Sequence, residues 1–206
     1  MLGSAGEFPD LNEQERLDFF RFYAEYVNGR VELLAGTGCI RYADTLALSN
    51  AVYELGYTPM VISPYYFEMD QEKPFVYYDR LAKDVKGDLY LYNFPPRTGH
   101  SIAPETIRRL IDANPNIIGL KDSVSTPGHT NMVCRAVEGK PFTVYSGFDD
   151  QFLSNIANNG GGGCIGALSI IVPEIWSSLV KAANERDFDR TFALYHLIQK
   201  LTQTAP

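Results

Sequence analysis

A lysine at the end of an apolar segment is the residue of this sequence with the clearest chemical potential. Residues 116–122 read Asn-Ile-Ile-Gly-Leu-Lys-Asp, and such a run is typical of a strand buried on both faces of a parallel sheet. Lys121 would then lie where the strand meets a loop, partly stripped of water, which favours the neutral amine. A neutral amine attacks carbonyl carbons. The ordinary alternative is an ammonium that extends from the strand end into water.

Other reactive side chains also follow predicted strands. Tyr92 ends the strand before that of Lys121, so a phenol and an amine would face one mouth and could exchange protons; simple aromatic packing is the alternative. Arg97 lies in a Pro-Pro-Arg-Thr-Gly turn and either suits a carboxylate substrate or is a plain surface arginine. Asp149 and Asp150 come after a later strand, where they would bind hydroxyl groups or cap the next helix.

Metal and nucleotide chemistry lack their motifs in this sequence. The three histidines show no metal-ligand spacing, and no Walker loop, dinucleotide fingerprint or nucleophile elbow is present. The glycines at 160–163 suit a phosphate loop, but they precede a predicted strand at 164–168 and would lie at the wrong end of it. We therefore expect neither a metal ion nor a cofactor.

The elements that must position these residues alternate along the chain. We predict strands at 31–36, 60–63, 89–92, 116–122, 142–145 and 164–168. Helical patterns occupy 12–26, 42–55, 74–85 and 104–113, with a weaker helix after Lys121, a further helix after Asp150 and amphipathic helical sequence from Pro173. Six strands, each followed by a helix, predict a single α/β domain over residues 1–206. Because the reactive residues gather at strand ends, a (β/α)8 TIM barrel is favoured over a doubly wound sheet.

Composition narrows the class of partner. The chain has 206 residues, a net charge of -7 and no basic cluster, which argues against nucleic acid or an anionic membrane as the main partner. Its three cysteines are odd in number and widely spaced in apolar contexts, which indicates reduced thiols rather than a disulfide framework. With no leader pattern and no membrane-length apolar run, we expect a cytoplasmic protein with a small-molecule substrate.

Four short motifs stand in order along the chain: Gly-Ser-Ala-Gly-Glu at 3–7, Pro-Tyr-Tyr at 64–66, Tyr-Asn-Phe-Pro at 92–95 and Gly-Leu-Lys-Asp at 119–122. Together they resemble the dihydrodipicolinate synthase/N-acetylneuraminate lyase family, the Schiff-base pyruvate lyases. The resemblance covers nearly the whole chain. It implies a TIM barrel and a class I lyase that works on pyruvate without a cofactor.

The resemblance also implies catalytic roles. Lys121 would attack the ketone of pyruvate, and Tyr92 would shuttle protons. Ser4 would link Tyr92 by its hydroxyl to a second tyrosine. Tyr66 matches that second tyrosine, which in the synthases reaches in from a neighbouring subunit. A homodimer or homotetramer is therefore expected.

Further matches concern substrate binding. The amides of Ser4 and Ala5 match the turn that binds the substrate carboxylate, and Ile165 matches a position beside the lysine. Two loops differ from the synthase pattern and favour 2-keto-3-deoxy sugar-acid aldolases. They are the loop at 3–7 and the loop that holds Gly147, Asp149 and Asp150. Arg97, however, matches the arginine that the synthases use. Sugar-acid aldolase is the first expectation, and synthase, condensing pyruvate with aspartate semialdehyde, is the alternative.

The chain differs from members of this family in length. Members of the family carry a strand, a helix and a second strand that would precede Leu2, and further helices that would follow Pro206. On this reading the barrel is incomplete, its first two strands and C-terminal helices are not in the chain, and its edge strands are open to pairing. A third reading is therefore a truncated, catalytically weak relative that acts by association with other chains.

Overall fold

Six parallel strands lie side by side in chain order and form one curled sheet. This computed structural model describes residues 1–202. The strands are β1 (Leu33–Gly36), β2 (Tyr57–Ile62), β3 (Leu89–Asn93), β4 (Ile117–Asp122), β5 (Thr143–Ser146) and β6 (Gly161–Cys164). Sequential parallel order is that of a barrel wall. The α/β class is confirmed, and the sheet is consistent with part of a TIM barrel.

Helices precede the first strand, connect each strand to the next and follow the last strand. They are α1 (Glu13–Val27), α2 (Tyr42–Glu54), α3 (Glu72–Asp84), α4 (Pro95–Thr98), α5 (Pro104–Ala113), α6 (Pro127–Ala136), α7 (Phe152–Ile156), α8 (Leu168–Ile171), α9 (Pro173–Asn184) and α10 (Phe188–Thr202). The first begins at a capping box, in which Asn12 and Glu15 satisfy each other's backbone amides. No helix in the described part of the chain has the length and apolarity to cross a membrane.

Side chains alternate between the two faces of the sheet, which decides what meets at its strand ends. Leu89 and Leu91 pack outward against the helices. Tyr90 and Tyr92 belong instead to the inner cluster. In the β3–β4 register Tyr92 is paired with Lys121, so both side chains share the inner face. The prediction that the phenol and the amine meet at one mouth is confirmed by this pairing.

The last strand differs from the prediction. Strand β6 begins within the glycines, at Gly161, and ends at Cys164, so the strand predicted at 164–168 is wrong. A Cβ at Gly161 would lie 2.0 Å from the carbonyl oxygen of Asn155, and one at Gly162 would lie 2.4 Å from Thr143. Only glycine allows such close backbone approach. These glycines are therefore sheet backbone and not a loop ahead of the sheet.

The two edges of the sheet are not equivalent. At the free edge of β1, the Gly36 amide donates to the Met1 carbonyl at 2.8 Å, and the Met1 amino group donates to the Leu34 carbonyl. Within residues 1–202, β6 pairs only with β5. The prediction that both edge strands are open is thus wrong at β1, whose outer backbone is partly paired with Met1. At β6 the prediction agrees with the strand order of the described residues.

Asn155 joins the last two strands. Its buried side-chain amide donates to the Val144 carbonyl at 3.0 Å and accepts from the Gly163 amide at 2.8 Å. We expect Asn155→Ala to lower the free energy of unfolding by about 2 kcal/mol or more, because two buried backbone groups lose their partners. Urea unfolding followed by circular dichroism measures the change.

Asn159→Ala is the matched control, because its side chain is exposed and, in the described part of the chain, bonds only to Glu138. A change within about 0.5 kcal/mol is expected there. An equal loss in both variants would contradict a special role for Asn155.

Candidate active site

A cavity of about 780 Å³ opens where the carboxyl ends of the strands converge. Nine of the ten predicted site residues line it: Ser4, Ala5, Tyr92, Arg97, Lys121, Gly147, Asp149, Asp150 and Ile165. They come from segments up to 161 positions apart, between Ser4 and Ile165. The fold therefore brings into one space the residues that the sequence motifs indicated, with the exception of Tyr66.

Lys121 ends the inner face of β4 with only 8% of its surface exposed. Its Nζ lies 4.5 Å from the ring centroid of Tyr92. Among residues 1–202, no carboxylate forms an ion pair with this amine. A buried amine beside a phenol, with no carboxylate paired to it, is a candidate nucleophile toward a carbonyl carbon.

The N-terminal loop covers this pair. The hydroxyl of Ser4 lies 3.2 Å from the phenol oxygen of Tyr92. A Cβ at Gly3 would lie 3.7 Å from the Nζ of Lys121, so the loop backbone runs directly over the amine. Ser4–Gly6 forms one 3-10 turn whose first internal bond is from the Gly6 amide to the Gly3 carbonyl, at 3.0 Å. The amides of Ser4 and Ala5 precede that bond, so the turn itself does not use them.

Arg16 joins α1 to the end of β1 and the segment after it, a role that the sequence interpretation missed. Its guanidinium is buried and donates to the Gly36 carbonyl at 2.7 Å and to the Cys39 sulfur at 3.2 Å. Its Cζ also lies 5.2 Å from the ring centroid of Phe8. The one available signal was spacing, because Arg16 shares a helix face with Phe20. These contacts explain why a charged residue lies on the buried face of α1.

The opposite wall is set by two close approaches. A Cβ at Gly147 would lie 1.8 Å from the Ser123 hydroxyl, so the glycine allows this loop to pack against the residue that follows β4. Asp149 accepts hydrogen bonds from the amides of Ala167 at 3.0 Å and Leu168 at 3.3 Å. It thus caps α8, after β6, and not the next helix as expected. Asp150 is exposed at the rim.

Tyr66 lies outside the cavity. Its side chain is 81% exposed, and its φ of 85° falls in the left-handed region that a tyrosine rarely adopts. Its ring contacts the exposed Phe67 at a centroid distance of 5.0 Å. Tyr65 lines the cavity in its place. Within one chain, then, the structure does not bring Tyr66 to Lys121.

Two further expectations concern cysteines and metals. The three cysteines are free thiols, as predicted. Burial raises the pKa of the Cys134 thiol to about 11, which keeps it protonated and inert near neutral pH. Within the described ranges, no group of three His, Cys, Asp or Glu side chains is arranged to hold a metal ion.

Comparison with known proteins follows this geometry. The sequence profile of the dihydrodipicolinate synthetase family matches residues 1–205. The chain belongs to this family. The resemblance read from the four motifs is therefore confirmed at the level of the family, whose named relatives are aldolases and synthases.

Individual relatives of this family member fall in two branches. It is 33% identical over 205 residues to the putative 2-dehydro-3-deoxy-D-gluconate aldolase YagE of Escherichia coli, covering 98% of this chain and 68% of the relative. It is 34% identical over 193 residues to a 4-hydroxy-tetrahydrodipicolinate synthase of Kosmotoga olearia, covering 92% and 65%. The chain thus spans about two thirds of the length of these relatives.

A solved structure gives the same likeness in three dimensions. The crystal structure of YagE from Escherichia coli in complex with pyruvate superposes with a TM-score of 0.93 at 32% identity. The match covers 98% of this chain and 69% of that one. The curled sheet described above is therefore the fold of this family over the matched part.

Proposed function

We propose that this chain carries the active site of a class I, Schiff-base-forming aldolase, which reversibly cleaves a 2-keto-3-deoxy sugar acid to pyruvate and an aldehyde. The observation that supports it best is the buried Lys121 amine, 4.5 Å from the ring centroid of Tyr92. The phenol of that tyrosine in turn lies 3.2 Å from the Ser4 hydroxyl. An amine, a phenol and a relay hydroxyl within one cavity are the groups that this chemistry needs.

The first step is attack by the Lys121 amine on the C2 carbonyl carbon of the 2-oxo acid. A C–N bond forms, the carbonyl oxygen takes up protons, and water leaves to give an iminium. Tyr92 is placed to pass these protons, and Ser4 extends the relay. The iminium then accepts the electron pair of the C3–C4 bond as that bond breaks.

Loss of the proton from the C4 hydroxyl releases the aldehyde and leaves an enamine on Lys121. Protonation at C3 and hydrolysis of the iminium release pyruvate and restore the amine. We assign the proton transfers to Tyr92, since its ring lies closest to the Lys121 Nζ among the aromatic contacts of that amine in the described part of the chain. The substrate carboxylate would bind the Ser4 and Ala5 amides beneath the loop.

The charges that line the cavity support a neutral, hydroxyl-rich aldehyde partner. Within residues 1–202, four carboxylates line it, and the only lining cations are Lys121 and Arg97. The four are Glu7, Asp10, Asp149 and Asp150. Carboxylates accept hydrogen bonds from sugar hydroxyls, whereas an incoming carboxylate is repelled by them. Asp149 is held by two amides, which leaves exposed Asp150 as the acceptor that we assign to the sugar.

Synthase activity is the second candidate, and Arg97 supports it. Its guanidinium lines the cavity, and within residues 1–202 no acidic side chain pairs with it. An unpaired guanidinium can bind the carboxylate of aspartate semialdehyde in a bidentate manner. In the aldolase reading Arg97 instead contacts the tail of the sugar acid.

Borohydride trapping tests the nucleophile. Incubation with pyruvate and borohydride should add one reduced pyruvyl group at Lys121, because the iminium is the species that the reagent reduces. Lys121→Ala should abolish the adduct. Peptide mass spectrometry locates the label.

Lys140→Ala serves as the control, since this lysine is paired with Asp112 on the surface and should leave the adduct unchanged. A label on any other lysine, or no label with a folded protein, overturns the proposed chemistry and favours a chain that acts by association alone.

Substrate ranking tests the branch. We expect kcat/KM for cleavage of 2-keto-3-deoxygluconate, or a close relative of it, to exceed that for condensation of pyruvate with aspartate semialdehyde by about 10-fold or more, because four carboxylates repel the charged aldehyde. Coupled assays of pyruvate release and pyruvate consumption give the two values. The reverse order would assign the synthase reaction.

We also propose that the chain acts as a homodimer or homotetramer in which Tyr66 enters the site of a neighbouring copy. Support comes from its exposure, its left-handed backbone and the adjacent exposed ring of Phe67. An exposed pair of aromatic rings is typical of the centre of a protein interface. The Ser4 hydroxyl would then pass protons between Tyr92 and the partner tyrosine.

Mixing two inactive variants tests this arrangement. Tyr66→Phe and Lys121→Ala should each lose at least about 10-fold in activity. If Tyr66 acts across the interface, mixed oligomers regain activity, because the intact lysine of one copy meets the intact tyrosine of the other. Light scattering checks the assembly.

Tyr53→Phe is the control for loss of an exposed phenol and should retain activity. Failure of the mixture to recover, in oligomers shown to be mixed, would place Tyr66 outside the relay.

A further inference from the structure

The residues that follow Tyr92 and Lys121 form a second registered pair behind the sheet. Asn93 is paired with Asp122 in the β3–β4 ladder, and both are fully buried. Because side chains alternate, this pair points away from the cavity and toward the helices. Asn93 donates from its side chain to the Asp122 carboxylate at 2.8 Å. The two strand ends are therefore joined by side chains as well as by backbone.

The carboxylate of Asp122 has two more donors, both from the first turn of α6. The Thr130 hydroxyl donates to it at 2.7 Å, and the Nδ1 of His129 lies 2.9 Å from it. The side-chain oxygen of Asn93 in turn accepts from the Ile102 backbone amide at 3.0 Å. The buried Asn93–Asp122 pair thus connects the ends of β3 and β4 with the segment before α5 and the start of α6.

His129 has an acceptor at each ring nitrogen, an arrangement that favours an imidazolium. Its Nδ1 faces the Asp122 carboxylate, and its Nε2 lies 3.2 Å from the Ile102 carbonyl oxygen and 3.4 Å from the Ser101 hydroxyl. Only the protonated ring donates from both nitrogens. Burial lowers the pKa of His129, but the hydrogen bond and charge of Asp122, with smaller contributions from Ile102 and Glu105, outweigh burial and raise it. The acidic groups that face the ring are Asp122 from β4 and Glu105 from α5.

We propose that Asp122 and protonated His129 are positioning residues, which hold the ends of β3 and β4 so that the Tyr92 phenol and the Lys121 amine stay together. The inference rests on the proposed function of those two groups. A buried carboxylate is stable only with a charged or fully hydrogen-bonded partner. Loss of the Nε2 proton of His129 keeps the Nδ1–H bond to Asp122, but it removes the donor to the Ile102 carbonyl and the positive charge beside the Asp122 carboxylate, behind Lys121.

Trapping kinetics with pyruvate test the proposal. His129→Gln and Asp122→Asn each keep the shape and remove the charge. Both should lower the rate constant of borohydride-trappable adduct formation by about 10-fold with KM for pyruvate nearly unchanged, because a displacement below 1 Å slows reaction more than it weakens binding. His100→Gln is the control, because it replaces another buried histidine whose ring, within residues 1–202, bonds only to Thr98.

A pH series separates positioning from simple stability. The charged pair is present at and below the ordinary histidine pKa of 6.5 and is lost as pH rises through the raised pKa. The ratio of wild-type to His129→Gln rate constants should therefore fall toward 1 as the pH rises. This ratio cancels any pH dependence that both proteins share. A ratio that stays constant, or variants with wild-type rates, overturns the proposal.

Hydrogen exchange provides a measurement that does not need activity. The backbone amide of Ser123 donates to the backbone carbonyl of Asn93 at 2.8 Å, and the backbone amide of Gly147 donates to the backbone carbonyl of Asp122 at 2.8 Å. Both should exchange about 10-fold faster in the two charge variants, while amides of β1 and β2 keep their rates. If wild-type protein traps no pyruvate, the proposed function fails, and this measurement alone decides whether the pair holds the strand ends. Unchanged exchange overturns the pair as a positioning device.

Discussion

Parallel pairing of β3 with β4 is the constraint on which the site depends. The ladder sets Tyr92 beside Lys121 and Asn93 beside Asp122. Alternation then sends the first pair into the cavity and the second toward the helices. A shift of β4 by one residue in this register would turn its side chains to the other face, which would break both pairs and place the Lys121 amine in the helix layer while Tyr92 stayed in the cavity. The position of the candidate catalytic pair therefore depends directly on the strand pairing.

Glycines maintain the site by allowing backbone and side chains to approach closely. Gly147 leaves room for the Ser123 hydroxyl, and Gly36 leaves room for the backbone carbonyl of Leu2. Glycines have the same function at β6, where Gly161 fits against Asn155. These contacts hold the N-terminal segment and the Gly147 loop close to the strand ends.

Charge is distributed unevenly around the cavity. The reactive lysine is deep and has no acidic partner among residues 1–202, whereas the carboxylates of Glu7 and Asp150 are exposed at the entrance. Among residues 1–202, Arg97 is the only lining cation apart from the lysine. Under the proposed function, this site binds the carboxylate of a 2-oxo acid near the lysine and presents acceptors to hydroxyls farther out. On that proposal, specificity between the two branches of the family depends on the entrance and not on the lysine.

The sequence by itself determined the elements and most of the site. An apolar run ending at Lys121, and tyrosine at the end of the preceding strand, were enough to predict the inner pair, because parallel strands must align their carboxyl ends. The four motifs correctly indicated the family. Local patterns of period two and 3.6 carry this information, since each reports which face of an element is buried.

Only the tertiary structure decided the long-range contacts. The boundary of β6 depended on how closely Asn155 approaches the glycines, and the capping role of Asp149 depended on where the chain after β6 returns. Arg16 and His129 gained their partners from other segments. Hydrogen-bond partners and steric gaps between distant residues have no periodic signature in the sequence, so they exist only once the sheet has brought those residues together.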